Sequence, residues 1–209
     1  MPKFEIKGYR VGPIQTNCYF MENTETKELL IVDPGDQADV LMRKIDETGA
    51  KPVAILLTHG HFDHVTASNP LREHYNIPVY AHDTEKPMLQ AAELNPFTGS
   101  SETFEVQVDQ YLSGEPTIEL AGFSIRILHT PGHTPGGVCY YFPDEKVLFS
   151  GDTLFRASMG RTDFPGGSAS QLVRNIETKL FTLPEDVDVF PGHEDTTNIG
   201  WEKKYNPFF

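Results

Sequence analysis

Residues 59–64 place three histidines and one aspartate in the segment Thr58-His59-Gly60-His61-Phe62-Asp63-His64. The apolar run 53–57 precedes this segment and predicts a buried strand that ends near Thr58. In layered α/β folds, functional side chains collect in loops at the carboxyl ends of strands. Imidazole and carboxylate donors without thiolates suit Zn²⁺, iron or Mn²⁺. The segment therefore predicts a metal site.

The four donors of this segment predict two metal ions. Alternate residues of an extended loop point apart, so side chains this close in sequence cannot all reach one ion comfortably. His59 and His61 form one predicted pair, and Asp63 and His64 form the other. Each pair needs further ligands from later in the chain.

Three later donors repeat one local pattern, in which an apolar strand is followed by a glycine and then by the donor. These donors are His133, Asp152 and His193. Asp152 is the natural shared ligand, because the two oxygens of a carboxylate can bridge two ions. The predicted metal ligands are His59, His61 and His133 for the first ion, Asp63, His64 and His193 for the second, and Asp152 for both.

We predict structural roles for the remaining histidines, since an isolated histidine is more often a surface or core residue than a ligand. His74 lies in a predicted helix, and His82 ends a predicted strand that passes into a helix cap. His129 ends a strand just before the His133 turn, so a supporting contact to that turn is the alternative.

The order of these ligands resembles that of the metallo-β-lactamase superfamily. Within the superfamily, residues 130–136 (TPGHTPG), 151–155 (GDTLF) and 206–208 (NPF) resemble glyoxalase II and its short bacterial relatives. The likeness extends over nearly the whole chain. It implies a four-layer αββα sandwich, with two mixed sheets back to back, helices outside and a dinuclear centre at one edge.

The resemblance also implies a domain organisation. Residues 1–209 are expected to form one such domain, without the C-terminal helical region of full-length glyoxalase II. That region contributes glutathione contacts in the full-length enzyme, and the loop after Asp152 lacks the Lys and Tyr that grip glutathione there. A glutathione thioester is therefore not assumed to be the substrate.

Hydrophobic patterning predicts the elements that would position the ligands. Strand hairpins mixed with crossover helices indicate a layered α/β domain. Residues 95–103, rich in Asn, Pro, Gly and Ser, predict a loop that either borders the pocket or forms a plain surface connection. The predicted strands are 9–11, 18–22, 29–33, 53–57, 79–81, 123–128, 138–142, 147–150 and 187–190, and the predicted helices are 38–47, 65–75, 84–92 and 169–178.

Composition restricts the partners and the location. The chain has 209 residues, 38% of them hydrophobic, and a formal net charge of −13, which argues against a nucleic-acid partner. No apolar signal region or membrane-length stretch is present, so the expected location is the cytoplasm and no membrane partner is expected. Cys18 and Cys139 lie in predicted strands, which favours buried reduced thiols. The oligomeric state stays open.

Two arginines follow Asp152 and are candidates to bind a substrate carboxylate. Arg156 lies four residues after Asp152, and Arg161 belongs to the glycine-punctuated loop 160–167. The alternative for Arg161 is an internal ion pair with Asp163 that fixes the loop.

The ligand set predicts hydrolysis. Water shared by two divalent ions is acidic enough to act as a hydroxide nucleophile near neutral pH. A thiolate leaves readily because the reference pKa of a thiol is about 8.5, so a small anionic thioester is the predicted substrate. The predicted metal is Zn²⁺, with iron or Mn²⁺ as alternatives. The expected catalytic residues are Asp63, which would orient the hydroxide, together with His133 and Asp152.

Three other functions stay open. A persulfide dioxygenase would use a single iron, held here by His59, His133 and Asp152. A β-lactamase fits less well, because many of these enzymes have Arg where this chain has His64, or Cys in place of Asp152. A metal-binding module without activity is the alternative that is not an enzyme.

Overall fold

The computed structural model describes residues 3–93 and 102–209. Its first sheet begins with β1 (Phe4–Val11), β2 (Thr16–Asn23) and β3 (Glu28–Val32), which pair in antiparallel fashion. β4 (Lys51–Leu56) then pairs in parallel with β3, and β5 (Val79–His82) pairs in parallel with β4. After a short ribbon of β6 (Ala92–Glu93) and β7 (Thr103–Phe104), β8 (Gln110–Leu112) completes this six-stranded sheet in parallel with β5.

The second sheet also has six strands, in the order β16-β15-β12-β11-β10-β9. β9 to β12 pair in antiparallel fashion, and β15 adds in parallel to β12. β10, β12 and β15 therefore run in one direction and end at the same edge. The bounds are β9 (Thr117–Leu120), β10 (Phe123–His129), β11 (Val138–Phe142), β12 (Val147–Gly151), the separate ribbon β13 (Leu154–Phe155) and β14 (Ser158–Met159), β15 (Asp188–Pro191) and β16 (Thr197–Asn198).

The helices lie between strands of both sheets. A 3₁₀ turn, Asp83–Glu85, precedes the fourth α-helix, and a π-helical turn, Ile176–Leu180, continues the fifth. The α-helices are α1 (Ala38–Thr48), α2 (Phe62–Val65), α3 (Ser68–Tyr75), α4 (Lys86–Leu89), α5 (Ala169–Asn175) and α6 (Ile199–Tyr205).

Three buried clusters join the layers. One packs the first sheet against α1 and α3, and a second lies between the two sheets. The third packs the second sheet against α5 and α6. Neighbouring residues of β2 serve different clusters, since Phe20 packs toward the helices and Met21 toward the second sheet. This order of layers is the αββα sandwich, so the predicted fold class is confirmed.

Eight of the nine predicted strands agree with the structure to within two residues at each end, whereas the predicted strand 9–11 covers only the last three of the eight residues of β1. Two helices were predicted wrongly. The predicted helix 65–75 is two helices that meet near Ala67, because a continuous helix would set the ring of Pro70 against the carbonyl of Thr66. The predicted helix 84–92 is a 3₁₀ turn followed by α4, which ends at Leu89. Pro87 fits only within the first turn of a helix. Sequence patterning also missed α6.

Three further predictions concern the thiols, the membrane and a loop. Cys18 and Cys139 are buried and free, as predicted. Within residues 3–93 and 102–209, no helix is long and apolar enough to cross a membrane. The predicted loop 95–103 lies almost wholly outside the described residues.

Phe149 provides a test of the core between the sheets. It is fully buried and contacts the rings of Tyr19, Phe142 and Phe190. Phe149→Ala should lower the free energy of unfolding by about 3–5 kcal/mol in urea denaturation. Phe208→Ala, at a ring that is 52% exposed, should change it by less than about 0.5 kcal/mol. Equal losses in both variants would contradict this packing.

Candidate metal centre

The donor segment changes backbone conformation in its middle. β4 ends at Leu56, and α2 begins at Phe62. His61 is the extended residue before α2, and its carbonyl accepts the amide of His64. His59 and His61 therefore project from a loop, whereas Asp63 and His64 project from a helical turn. This change of conformation separates the donors into the two predicted pairs.

His59, His61 and His133 form a first subsite, in which one ring nitrogen of each lies within 4.8 Å of the others. His133 Nε2 is 2.9 Å from His61 Nδ1. The opposite nitrogen of His133, Nδ1, contacts the Arg161 carbonyl at 2.7 Å and must donate to it. This contact leaves the Nε2 lone pair of His133 facing the subsite.

Asp63, His64 and His193 form a second subsite with the same spacing limit of 4.8 Å. Asp63 Oδ2 is 3.3 Å from His64 Nε2 and 3.3 Å from His193 Nε2. The hydroxyl of Thr16 donates to the same oxygen at 2.6 Å. The first sheet thus fixes Asp63 through the first residue of β2.

Asp152 lies between the subsites. Its Oδ1 is 3.4 Å from His64 Nε2, and its Oδ2 is 3.4 Å from His133 Nε2. The same Oδ2 is 3.6 Å from His193 Nε2. A Cβ at Gly192 would lie 2.3 Å from Asp152 Oδ1, so this close approach requires glycine at that position. Asp152 is the residue whose position fits a ligand shared by two ions.

The donor atoms fit metal ions in spacing and in their unmet bonding capacity. Zinc bonds of roughly 2.0–2.1 Å to nitrogen and oxygen set tetrahedral ligand atoms about 3.3 Å apart. The distances of 2.9–3.6 Å within the cluster match that spacing. Among the described residues, three buried atoms aimed into the cluster have no hydrogen-bond partner: His59 Nε2, His64 Nε2 and Asp152 Oδ1. Buried polar atoms are rarely left unpaired, so these atoms support ligation.

The carboxylates of the cluster are held ionised. Burial alone would raise the pKa of Asp152, but the nearby charges of His64 and His133 lower this pKa to about 2. Burial also opposes the shift of Asp63, whose pKa His64 and His193 nevertheless hold well below its usual range. These carboxylates are therefore acceptors only, the form that binds metal.

The pKa values of His59 and His61 shift in the opposite direction to that of His64. Burial, followed by the charge of His133, lowers the pKa of His61 to about 4, and burial lowers that of His59 as well. For His64, burial would lower the pKa, but Asp63 and the other nearby carboxylates raise it well above its usual value. The lowered pKa values keep His59 and His61 neutral, whereas the carboxylates around His64 favour positive charge beside it.

Comparison with known proteins agrees with this geometry. Residues 11–193 match the metallo-beta-lactamase superfamily. The chain belongs to this superfamily. It is 42% identical over 201 residues to a probable metallo-hydrolase, YqgX, of Bacillus subtilis, covering 95% of this chain and 94% of YqgX. It is 37% identical over 201 residues to the hydroxyacylglutathione hydrolase GloC of Haemophilus influenzae, with the same coverage of 95% and 94%.

Solved structures extend the comparison to the whole fold. The B3 metallo-beta-lactamase BLEG-1 superposes with a TM-score of 0.90 at 41% identity, covering 98% of this chain and 99% of BLEG-1. TTHA1623, solved in a di-iron-bound form, superposes with a TM-score of 0.85 at 38% identity, covering 97% and 100%. The predicted superfamily and fold are confirmed, and a metallo-hydrolase assignment is supported.

Asp33 is a supporting residue that sequence reasoning missed. It follows β3, is buried, and has a left-handed φ of 49°. Its Oδ2 lies 2.9 Å from His64 Nδ1 and accepts the Thr58 hydroxyl at 2.6 Å, while its Oδ1 accepts the Thr58 amide. The Thr58 hydroxyl in turn contacts His59 Nδ1 at 3.1 Å. Asp33 thus orients a histidine of each subsite, and its oxygens are used by these bonds rather than being available to an ion.

Arg161 and Arg156 differ in their partners. The Arg161 guanidinium donates to both oxygens of Asp163, at 2.8 and 2.7 Å, and lies 3.8 Å from the Phe164 ring centroid. This is the internal pair predicted as the alternative for Arg161. Arg156 lies over Trp201 at 5.8 Å and has no ion-pair partner in the part of the chain that the structure describes.

The other histidines lie away from the ligand atoms. His82 and His129 stack on each other with centroids 4.2 Å apart. His129 Nε2 contacts the carbonyl of Pro135, which lies in the turn after His133. His129 therefore supports the turn, the role predicted as its alternative, and His74 lies in α3 as predicted.

Replacement of Asp33 tests its role. Asp33→Asn should weaken binding of Zn²⁺ by roughly 10- to 100-fold, because His64 loses a charged acceptor that fixes its tautomer. The measurement is zinc bound per chain after dialysis against graded chelator. Asp109→Asn, which removes a charge paired with Arg72 and changes the acceptor of the Val79 amide, alters no proposed ligand contact and should leave zinc binding unchanged. Wild-type zinc retention by Asp33→Asn would show that Asp33 does not orient a ligand.

Proposed function

We propose that the protein is a dinuclear metal-dependent hydrolase that cleaves a small thioester. The observation that carries this proposal is the position of Asp152, whose two oxygens lie within 3.4 Å of a histidine of each subsite. In this proposal His59, His61 and His133 hold the first ion, Asp63, His64 and His193 hold the second, and Asp152 is shared. The superfamily membership supports metal-dependent hydrolysis.

The chemistry divides between the ions and the chain. Bound divalent ions would supply Lewis acidity and lower the pKa of water to near neutrality. Asp63 and Asp152 bring negative charge that holds both ions, and their lowered pKa values keep them ionised. Asp63 orients the reacting water by accepting its hydrogen, while Thr16 fixes the Asp63 oxygen at 2.6 Å. The Arg161 carbonyl keeps the His133 ring in position.

A thioester fits these residues because its leaving group needs little help. No general acid is required for a thiolate with a reference pKa of about 8.5. The relative GloC is described as a hydroxyacylglutathione hydrolase, and this chain covers 94% of its length. GloC therefore carries that description in a chain of similar length. We propose that residues 1–209 form one hydrolase domain, and glutathione thioesters belong in the substrate panel.

A second candidate, β-lactam hydrolysis, is favoured by the 41% identity to BLEG-1. Both reactions add water to a carbonyl, so the same site serves either. The metal is a separate question. Zn²⁺ stays our proposal, and the di-iron form of TTHA1623 makes iron the principal alternative. We keep the cytoplasm as the proposed location and expect no nucleic-acid partner.

Metal analysis tests the dinuclear proposal. The isolated protein should hold two divalent ions per chain, and Asp152→Ala should hold one or fewer and lose at least about 100-fold in thioester hydrolysis. A single iron in the active protein would favour the persulfide dioxygenase alternative. Full metal content with no hydrolysis of any thioester or β-lactam would favour a binding module.

The two arginines test substrate charge. Arg156→Ala should raise KM for anionic thioesters about tenfold and spare neutral ones, because its guanidinium is available for a charge-assisted hydrogen bond. Arg161→Ala should affect neutral and anionic substrates equally, since both prongs of its guanidinium bind Asp163. Its melting temperature should stay close to that of the wild type, because this ion pair is exposed. Selective loss on anionic substrates in Arg161→Ala alone would reverse these assignments.

A further inference from the structure

Two buried polar residues outside the ligand set attach to the loops that carry the ligands. Glu85 lies at the end of the 3₁₀ turn after β5, and Asn17 lies in β2. Glu85 is 2% exposed and Asn17 is 6% exposed. Their hydrogen bonds divide between the two subsites.

Glu85 connects the two loops of the first subsite. Its Oε1 accepts the amide of Gly60 at 2.9 Å, between His59 and His61. Its Oε2 accepts the amide of Gly136 at 2.6 Å, in the turn that follows His133. A Cβ at Gly136 would lie 2.3 Å from the Glu85 nitrogen, so the turn and the carboxylate are packed in direct contact. One side chain thus fixes the separation between these loops.

Asn17 holds the backbone on both sides of His193. Its side-chain amide donates to the carbonyls of Pro191 at 3.0 Å and Glu194 at 2.9 Å. Its own backbone amide donates to Gly192 at 2.7 Å. Glu194 has a left-handed φ of 66°, a conformation that a residue other than glycine keeps only when its surroundings enforce it. The neighbouring Thr16 holds Asp63, another ligand of the same subsite.

We propose that Glu85 positions the first metal subsite and Asn17 positions the second, so that the affinity for each ion can be lowered separately. The inference rests on the proposed dinuclear function. Both residues act through backbone that carries ligands, and neither is a ligand. Loss of such supports typically weakens metal binding by roughly 10- to 100-fold.

The experiment measures Zn²⁺ affinity in backgrounds with one subsite. His193→Ala leaves the first subsite intact, and His61→Ala leaves the second. Glu85→Gln and Asn17→Ala are each added to both backgrounds, and dissociation constants are measured by competition with a chromophoric chelator. Glu85→Gln should weaken binding about 10- to 100-fold only with His193→Ala, and Asn17→Ala only with His61→Ala.

Matched controls separate positioning from general loss of stability. Asn23→Ala removes an equally buried asparagine from the other end of β2, where it bonds to Ala121. Glu22→Gln removes a buried carboxylate paired with Lys27. Both should lower the melting temperature and leave the zinc dissociation constants close to those of the parent variants. If Glu85→Gln does not fold, Glu85→Asp, which keeps the charge but has a shorter reach, should show the same selectivity.

The outcomes distinguish this inference from the proposed function. Equal weakening of both subsites by either variant, or no weakening, would overturn the inference while two bound ions in the wild type uphold the dinuclear proposal. Fewer than two ions in the wild type would overturn the dinuclear proposal. The proposed role of Glu85 would then still be tested by whether Glu85→Gln weakens zinc binding at the first subsite.

Discussion

The structure depends on keeping a cluster of histidines and carboxylates buried at the edge of a β-sandwich. Such burial is costly unless each polar atom is paired. The chain pairs the outward-facing atoms of several donors with its own groups, as Asp33 does for His64 and the Arg161 carbonyl does for His133. The inward-facing nitrogens of His59 and His64 have no hydrogen-bond partner in the part of the chain that the structure describes. Bound cations would complete this bonding, which would make ligand orientation and metal binding two parts of one arrangement.

The site forms only when the two sheets come together. The loop after β4 of the first sheet provides four of the donors, and the loops after β10, β12 and β15 of the second provide the other three. Hydrogen bonds cross between the sheets beside these loops, including Tyr140 to the Leu57 carbonyl and Tyr19 to the Pro191 carbonyl. Because metal binding requires both sets of loops, it should contribute to holding the sheets together.

The parts of this molecule that sequence could predict are those encoded locally. Strands such as β11 are continuous apolar runs, and each proposed ligand follows a strand within a short polar motif. The support residues could not be predicted in this way. Asp33, Glu85 and Asn17 act on loops that are 25 to 177 residues away along the chain, and no local spacing marks them. Pro70 indicates the break near Ala67, but the helical periodicity of the residues around it favoured one continuous helix.

We expect substrate choice to depend on residues around the ligand cluster rather than on the proposed ligands. The exposed Phe164 ring contacts His61 edge-on at 5.7 Å, and Arg161 stacks on it with its charge balanced by Asp163. This side of the site therefore presents an aromatic and nearly neutral surface. With a net charge of −13, the chain as a whole repels anions, so an anionic substrate would depend on the local field of the bound cations. We therefore expect the loop 160–167, together with the bound cations, to influence which substrates this site accepts.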